Sequence, residues 1–193
     1  MNVAIFGTSA DPPTIAHKTI LNYLGNNYDL VAVYASDNPF KSHGSNLSHR
    51  SRMLELLIDD LNLTDSNIIH CPDISDNRTI YTIEKARLKW GENLDLTIVI
   101  GGDLAPQIFT WYQAQKLWQG VKVLLIPRKG YTIQEKVIEN INNISLGCAI
   151  AQCQIPPFSS TDYRNNHDQG VLTDKVKTYI EENCLYFDEE KSA

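Results

Sequence analysis

A hydroxyl-rich segment with two prolines lies near the N-terminus and has the composition of an anion site. It runs from Gly7 to His17 and directly follows a short apolar run. Gly7 permits close backbone approach, Thr8 and Ser9 supply hydroxyls, and Thr14 is a residue type that caps helices. His17 lies three residues after Thr14, so the two side chains share one helical face. Free N–H groups, a hydroxyl and an imidazole at a helix N-terminus favour binding of an anion such as phosphate.

Another hydroxyl-rich segment lies towards the other end of the chain. Ser159, Ser160 and Thr161 are consecutive and are followed by Asp162 and Arg164. Hydroxyls followed by an acid are typical of an N-cap and a first helical turn. Arg164 then shares a helical face with Thr161, where a guanidinium is suited to phosphate. On its own, the pattern is equally typical of an ordinary capped surface helix.

Other residues with suitable chemistry also follow apolar runs. Lys41 comes after the second run, and Gly101 and Asp103 come at the end of the fourth. An acid at the end of a strand suits a ribose hydroxyl, although Asp103 also suits the cap of a following helix. Trp111 and Tyr112 taken alone are typical of a core, but an exposed indole at such a place can stack on the flat ring of a ligand. Lys41 taken alone is an ordinary solvated lysine.

Alternating elements predict how these residues are positioned. Apolar runs predict strands at 2–6, 30–35, 67–70, 96–100, 121–126 and 147–151, and helical periodicity predicts helices at 15–24, 47–61, 80–90, 104–118, 133–141 and 173–182. This alternation predicts a single doubly wound α/β domain, with a parallel sheet and helices on both faces. Such sheets bind ligands at the carboxyl ends of their strands, where strand order reverses.

Composition limits the class of protein and its partners. The 193 residues are 42% hydrophobic, which predicts one core in a domain at 1–187, followed by a polar tail at 188–193. With 17 basic and 23 acidic residues the net charge is -6, which disfavours nucleic acid or an anionic membrane as a partner. The chain has neither a run of about 18–20 apolar residues nor a signal-peptide pattern, so we expect a cytoplasmic protein. The four cysteines lack metal-site spacing, so we expect no metal site built by side chains.

The two hydroxyl-rich segments together resemble the nucleotidyltransferase superfamily. The N-terminal segment is similar to the signature G-x-[ST]-x-D-P-x-[HT]-x-G-H, with Ala16 standing at one glycine position. Its matching residues are Gly7, Ser9, Asp11, Pro12, Thr14 and His17. The segment at 158–164 resembles the superfamily's [IF]-S-S-T-x-x-R motif, which grips the β- and γ-phosphates of ATP.

Segments between them resemble one branch of that superfamily, the nicotinate-nucleotide adenylyltransferases. Residues 38–41 are similar to its proline-then-lysine loop, 50–54 to its R-x-x-M-L helix start, 81–83 to its S-Y-T segment, and 100–112 to its G-[AG]-D-x(5)-F-x-W segment. The resemblance extends from Val3 to Arg164 and implies a Rossmann-like fold.

The resemblance implies transfer of the adenylyl group of ATP to nicotinate mononucleotide, with Mg²⁺ arriving on the ATP. It implies small-molecule partners and leaves homo-oligomerisation open. The implied catalytic residues are Thr14, His17, Lys41 and Arg164; the ATP-binding residues are Gly7, Thr8, Ser9, Gly101, Asp103, Ser159, Ser160 and Thr161; the acceptor-binding residues are Tyr81, Thr82, Trp111 and Tyr112.

The choice between an acid and an amide acceptor must depend on what faces that group. We expect the N–H groups around Tyr81–Thr82 and of the helix after Asp103 to donate to both carboxylate oxygens. A carboxamide would present its own NH₂ to one of these donors. An unpaired buried donor costs about 1–3 kcal/mol, so we expect the acid to be preferred by at least about tenfold.

Two alternative functions remain open from the sequence. A pantetheine-phosphate adenylyltransferase shares the threonine of the first motif but would not need Trp111 and Tyr112 at the acceptor end. A non-catalytic nucleotide sensor is suggested by Ala16 and by the altered segment at 81–85. The retained catalytic set argues against the sensor, because a binder has no use for transition-state donors.

Overall fold

The computed structural model describes residues 1–37, 41–61 and 67–187. Within these ranges, the strands are β1 (Asn2–Thr8), β2 (Leu30–Ala35), β3 (Ile68–His70), β4 (Asp95–Gly101), β5 (Lys122–Ile126) and β6 (Cys148–Ile150). They form one parallel sheet in the order β3-β2-β1-β4-β5-β6. The chain therefore winds outwards from β1 in one direction and from β4 in the other. The switch point lies between β1 and β4, where ligands bind in this class of sheet.

Helices connect the strands and cover both faces of the sheet. They are α1 (Ile15–Gly25), α2 (Leu47–Asp59), α3 (Thr79–Trp90), α4 (Ala114–Trp118), α5 (Glu135–Ile144), α6 (Ser160–Asn166) and α7 (Asp174–Glu182). Short 3₁₀ segments occur at Pro72–Ile74, Gly102–Thr110 and Gln169–Val171. The predicted doubly wound, Rossmann-like parallel sheet with helices on both faces is thereby confirmed. Of the helices in the described ranges, none combines the length and apolar character needed to cross a bilayer.

The core consists of two apolar layers, because successive strand residues point to opposite faces. In β1, Ala4 and Phe6 pack with residues of α1, α2, α6 and α7. Val3 and Ile5 point the other way and pack with residues of α3, α4 and α5. All four side chains are buried. This two-sided burial explains why the strand reads as a continuous apolar run and not as an alternating one.

The structure corrects two predictions made from the sequence, and the first concerns the end of β1. The strand predicted to stop before Gly7 continues through Gly7 and Thr8, which pair in register with Tyr34 and Ala35 of β2. The sequence pattern indicates a turn at this glycine, but the residue serves close packing, because a Cβ at Gly7 would lie 2.6 Å from the Tyr34 ring. The first loop therefore begins about two residues later than expected from the sequence.

The predicted single helix at 104–118 was wrong. The segment is a 3₁₀ helix containing Pro106, followed by a break at Gln113 and the short α4. Pro106 offers no N–H to a helical ladder, and Gln113 takes a left-handed φ of 52°. The fully buried Trp118 stabilises the broken path, since its Nε1–H donates to the Ile108 carbonyl at 3.0 Å. The predicted tail at 188–193 lies outside the described residues.

Candidate active site

His17 and Thr14 lie together at the N-terminus of α1, directly after the first loop. The Thr14 backbone N–H donates to His17 Nδ1 at 3.1 Å, and the Thr14 hydroxyl is also 3.1 Å from that nitrogen. A ring nitrogen that accepts an N–H carries no proton, so the proton of a neutral His17 is on Nε2. Nε2 lies 3.1 Å from the Thr8 hydroxyl and donates to it. The site therefore holds an N–H donor of fixed tautomer at the end of β1.

The protonation state of His17 is set by its surroundings. Burial, and then the positive charge of Arg128, lower the pKa of the imidazole to about 4. His17 is therefore neutral near pH 7 and acts as a hydrogen-bond donor through Nε2–H. Thr14 is fully buried at the same helix end. An anion here would meet the positive end of the helix dipole as well as the imidazole N–H.

Asp11 is a buried carboxylate that joins three parts of the chain at the first loop. It is only 2% exposed and follows Ala10, whose φ is 47°. Its Oδ2 accepts the Gly44 N–H at 2.7 Å, and its Oδ1 accepts the Tyr186 hydroxyl at 2.7 Å. Arg164 of α6 donates from Nη1 to the Asp11 carbonyl and lies 3.5 Å from Oδ2. Asp11 belongs to the first sequence motif, which by itself indicates no role for it.

Arg50 of α2 is another buried connector, and sequence reasoning gives it no role either. Its side chain is 1% exposed, and Nη1 donates to the carbonyls of Ser9 and Ser36 at 2.9 and 2.7 Å. Nε donates to the Ser45 carbonyl, and Nη2 lies 3.2 Å from Asp37. One guanidinium therefore holds the loops after β1 and β2 together. The signals available in the sequence were its place at the start of the R-x-x-M-L segment and an arginine inside the apolar periodicity of α2.

The hydroxyls at the start of α6 bind within the protein in this conformation. Ser159 forms a capping box with Asp162: its Oγ accepts the Asp162 N–H at 3.1 Å, and its own N–H donates to the Asp162 carboxylate. The Ser160 hydroxyl donates to the Pro12 carbonyl at 2.8 Å. Thr161 is exposed, with its Oγ1 at 3.4 Å from Arg164 Nη2. The start of α6 and the first loop are therefore neighbours, as the two sequence motifs required.

The carboxyl ends of β4 and β5 contribute a charged pair. Gly101 ends β4, and a Cβ there would lie 2.6 Å from Asp103 Oδ1, so the carboxylate folds back over the glycine. Asp103 accepts from Arg128 Nη1 at 2.5 Å. Because Arg128 also lowers the pKa of His17, its charge reaches the end of α1. Arg128 is a missed candidate, since an arginine in a loop after a strand has no distinguishing sequence pattern. Lys41 is exposed, and the rest of its predicted loop, 38–40, lies outside the described residues.

The predicted acceptor end is more open and mainly aromatic. Tyr81 is 38% exposed and Tyr112 is 43% exposed, with ring centroids 6.1 Å apart. The Arg78 guanidinium lies over the Tyr112 ring, 3.8 Å from its centroid. Trp111 is half-buried, and its indole packs at 5.4 Å against the buried Trp118. Two of the four predicted residues, Tyr81 and Tyr112, therefore form one aromatic surface, to which Arg78 adds a cation that the sequence did not indicate.

The donors expected to select a carboxylate are not free. The N–H groups of Tyr81 and Thr82 both donate to the Arg78 carbonyl, at 2.9 and 3.4 Å. The Thr82 side chain is fully buried. The first turn of α3 closes on itself, which sequence periodicity does not reveal. The expectation for these two amides is corrected, that for the N–H groups after Asp103 stays a prediction, and Arg78 is a further donor at this surface.

The model of the cytidylyltransferase-like family matches residues 5–166, which include the first loop, the aromatic surface and the start of α6. The chain belongs to this family. It is a nucleotidyltransferase, and the predicted superfamily is confirmed. A relative from Synechocystis sp. named probable nicotinate-nucleotide adenylyltransferase is 36% identical, over 96% of this chain and 99% of its own length.

Solved structures give the same fold. Nicotinic acid mononucleotide adenylyltransferase from Plasmodium falciparum, complexed with APC, superposes with a TM-score of 0.76 at 22% identity. The same enzyme complexed with NaAD also gives a TM-score of 0.76. In both comparisons 96% of this chain is covered, as is 96% and 97% of the other chain. At this identity the likeness concerns the fold, and it supports the assignment of the switch point between β1 and β4.

Proposed function

We propose that the protein transfers the adenylyl group of ATP to nicotinate mononucleotide, giving nicotinate adenine dinucleotide and pyrophosphate. An oxygen of the acceptor phosphate forms the new bond to the α-phosphorus, and the bond from that phosphorus to the bridging oxygen of pyrophosphate breaks. A phosphate monoester is already ionised at neutral pH, so the nucleophile needs no general base. Catalysis then consists of alignment and stabilisation of charge at the α-phosphorus.

The observation that carries this proposal is the fixed Nε2–H of His17 at the helix N-terminus beside the switch point. Because Nδ1 is occupied by the Thr14 N–H, Nε2–H is the only donor of the neutral ring. Thr8 now accepts it at 3.1 Å, and an α-phosphate oxygen would take the place of that hydroxyl. A donor that is oriented before the substrate arrives needs little reorganisation as charge develops. Thr14 would contribute its hydroxyl to the same phosphate.

The departing pyrophosphate would lie towards α6 and the loop after β2. Lys41 is exposed and would reach it from that loop, and Arg164 stands beside Thr161 with its Nη2 directed to that hydroxyl. The first N–H groups of α6, at Ser160 and Thr161, have no partners within the helix by construction. Arg128 adds positive charge on the β5 side. These cations would compensate for the charge of the leaving group.

Mg²⁺ is proposed as the ion that accompanies ATP, where it would neutralise charge on the triphosphate. In the described ranges no group of three His, Cys, Asp or Glu side chains is arranged to hold a metal. The Asp11 carboxylate already accepts hydrogen bonds from Gly44, Tyr186 and Arg164, and Asp103 is paired with Arg128. The residues present therefore fit an ion bound mainly by phosphate oxygens and water, which Mg²⁺ tolerates.

The acceptor base would lie at the aromatic surface formed by Tyr81 and Tyr112, with the half-buried Trp111 next to Tyr112 in the chain. A pyridine ring can stack there in either its acid or its amide form. The Arg78 guanidinium above Tyr112 would favour the acid, because a carboxylate accepts from its planar fork and a carboxamide presents one NH₂ instead. The expected preference for nicotinate mononucleotide is thus retained, with Arg78 as the group that supports it.

An assay of pyrophosphate release would test the proposal directly. Purified protein with Mg²⁺ and ATP would be offered nicotinate mononucleotide, its amide or phosphopantetheine, with the folded His17→Ala variant as the control for contaminating activities. We expect the highest kcat/KM with nicotinate mononucleotide. A preference for phosphopantetheine would favour the alternative adenylyltransferase. ATP binding without pyrophosphate release on any acceptor would indicate the nucleotide sensor.

A further inference from the structure

The last described segment of the chain reaches the first loop from the opposite end of the sequence. After α7, the chain turns back through Cys184 and Tyr186, whose φ angles are 49° and 65°. Non-glycine residues rarely adopt this left-handed region unless other contacts favour it. At Tyr186 those contacts are an edge-to-face packing on Tyr163, with centroids 5.8 Å apart, and the hydrogen bond to Asp11. The reversal therefore places one hydroxyl on a buried carboxylate 175 residues away in sequence.

The carboxylate that accepts the Tyr186 hydroxyl also accepts hydrogen bonds from other groups of the protein. The Gly44 N–H donates to Asp11 Oδ2, and the Arg164 guanidinium donates to the Asp11 backbone carbonyl. The Tyr186 ring also lies against Gly44, where an added Cβ would be 3.0 Å from it. At 2% exposure Asp11 has little access to water, so the loss of the Tyr186 donor would leave Oδ1 without a replacement.

Asp11 begins the turn that presents the reactive groups. Pro12 and Pro13 follow it, then Thr14 and, one turn into α1, His17. A shift of Asp11 would therefore be transmitted along a short, proline-stiffened connection to the donor at the α-phosphate. Tyr186 itself need not touch either substrate for this to occur.

We propose that Tyr186 is a positioning residue for adenylyl transfer, which holds Asp11 and thereby fixes the first loop in its reactive geometry. The inference rests on the proposed function, in which Thr14 and His17 bind the α-phosphate. It makes the segment after α7 part of the active-site architecture. The hydroxyl acts on the alignment of reacting groups, so its removal lowers kcat more than it weakens ATP binding.

The chain provides a matched control for this idea. Tyr179 of α7 also carries a hydroxyl that binds the body of the protein, at 2.9 Å from His49 Nδ1 of α2. Tyr179→Phe removes a hydrogen bond of the same kind between the C-terminal part and the core, without touching Asp11. A merely structural contribution of the C-terminal part would affect both variants alike.

The experiment compares Tyr186→Phe, Tyr179→Phe and the wild-type enzyme in thermal unfolding and in steady-state kinetics. The acceptor is whichever one the wild-type enzyme uses best, so a wrong acceptor assignment does not affect the result. We expect Tyr186→Phe to lower kcat about ten- to hundredfold with KM for ATP within about threefold, because small misplacements at a reacting centre have effects of this size. We expect Tyr179→Phe to keep kcat within about twofold of the wild type.

Two results would overturn the inference. One is a folded Tyr186→Phe enzyme whose kcat stays within about twofold of the wild type. The other is a loss of kcat in both variants that follows their loss of melting temperature. If Tyr186→Phe does not fold, Gly44→Ala keeps the hydroxyl and crowds the Tyr186 ring, but its added Cβ also lies 2.9 Å from Arg164 Cδ. A folded Gly44→Ala enzyme with unchanged kcat, or with a loss that lies in KM for ATP, would contradict a positioning role of Tyr186, and a loss of kcat with unchanged KM for ATP would support it.

Discussion

The two ends of the candidate site are built on opposite principles. At the first loop, buried polar groups fix the chain: Asp11 and Arg50 are 2% and 1% exposed and bind four separate segments between them. At the proposed acceptor end, Tyr81 and Tyr112 are about two-fifths exposed, and the Arg78 guanidinium lies over the Tyr112 ring. In the proposed reaction, charge develops at the α-phosphorus and not at the pyridine ring. The rigid, polar construction would then lie where preorganisation stabilises a transition state, and the open, aromatic one where a base only has to stack.

The largest expected effect comes from removing the His17 donor beside the first loop. His17→Ala should lower kcat by about 10²–10³, as for loss of one donor to a developing charge. Circular dichroism and thermal unfolding would establish that the variant is folded. His49→Ala serves as the matched control, because His49 lies on α2 and contacts Tyr179. Near-wild-type turnover in folded His17→Ala would remove this residue from the mechanism.

Substitutions of Arg164 test whether α6 contributes to the polar part of the site at the first loop. Arg164→Ala removes both the contact to Asp11 and the guanidinium beside Thr161, so we expect kcat/KM for ATP to fall by about ten- to hundredfold. Arg164→Lys should recover only part of this loss, because an ammonium group cannot form the planar fork. Steady-state kinetics with varied ATP would measure both variants. If both bind and use ATP normally, this segment is only a helix cap.

The aromatic part of the site is tested by the ratio of the kcat/KM values for two acceptors. Arg78→Ala should reduce the preference for nicotinate over nicotinamide mononucleotide in kcat/KM by about tenfold, as expected for one charge-assisted hydrogen bond. Trp111→Ala provides the contrast, since loss of a stacking ring should weaken both acceptors and change their ratio little. A wild-type enzyme that uses the two acceptors equally would contradict the acid preference and leave adenylyl transfer intact.

A last expected effect concerns the stability of the protein, and not its catalysis, as the pH changes around His17. The folded-state pKa of His17 is about 4, below the ordinary value of 6.5, so between these pH values the unfolded chain binds more protons than the folded one. The free energy of unfolding should therefore decrease as the pH falls from about 6.5 to 4, with a contribution from His17 of about 1–3 kcal/mol. Urea titrations at several pH values would measure it.

His17→Gln is the reference for that measurement. The pKa values of His43 and His70 are also lowered by burial, so the wild-type profile alone contains more than one histidine. The difference between the wild-type and His17→Gln profiles isolates residue 17. The profiles should diverge towards lower pH, with the wild type losing more stability. Parallel profiles would show that His17 has no depressed pKa.

Local patterns in the sequence determined the framework of the molecule. Continuous apolar runs specify strands buried on both faces, and the helical periodicity between them specifies the crossovers, which together predict the parallel sheet. The strand order, and with it the switch point between β1 and β4, came from the structure. The hydroxyls, His17 and Arg164 were identified because helix capping and anion binding depend on residues three or four apart. These patterns can be recognised in the sequence because the interactions that cause them join residues only a few positions apart.

Tertiary structure alone decided which groups hold the site and which donors remain free. Asp11 meets Gly44, Arg164 and Tyr186 only after the sheet has wound, and no periodicity links positions so far apart in sequence. The motif predicts that the amides of Tyr81 and Thr82 bind the acceptor, yet they close the first turn of α3. Burial makes each such contact obligatory, because an unpaired polar group away from water is costly. Burial is a property of the packed chain, which is why the sequence indicated the candidate reactive residues but not the contacts that hold them.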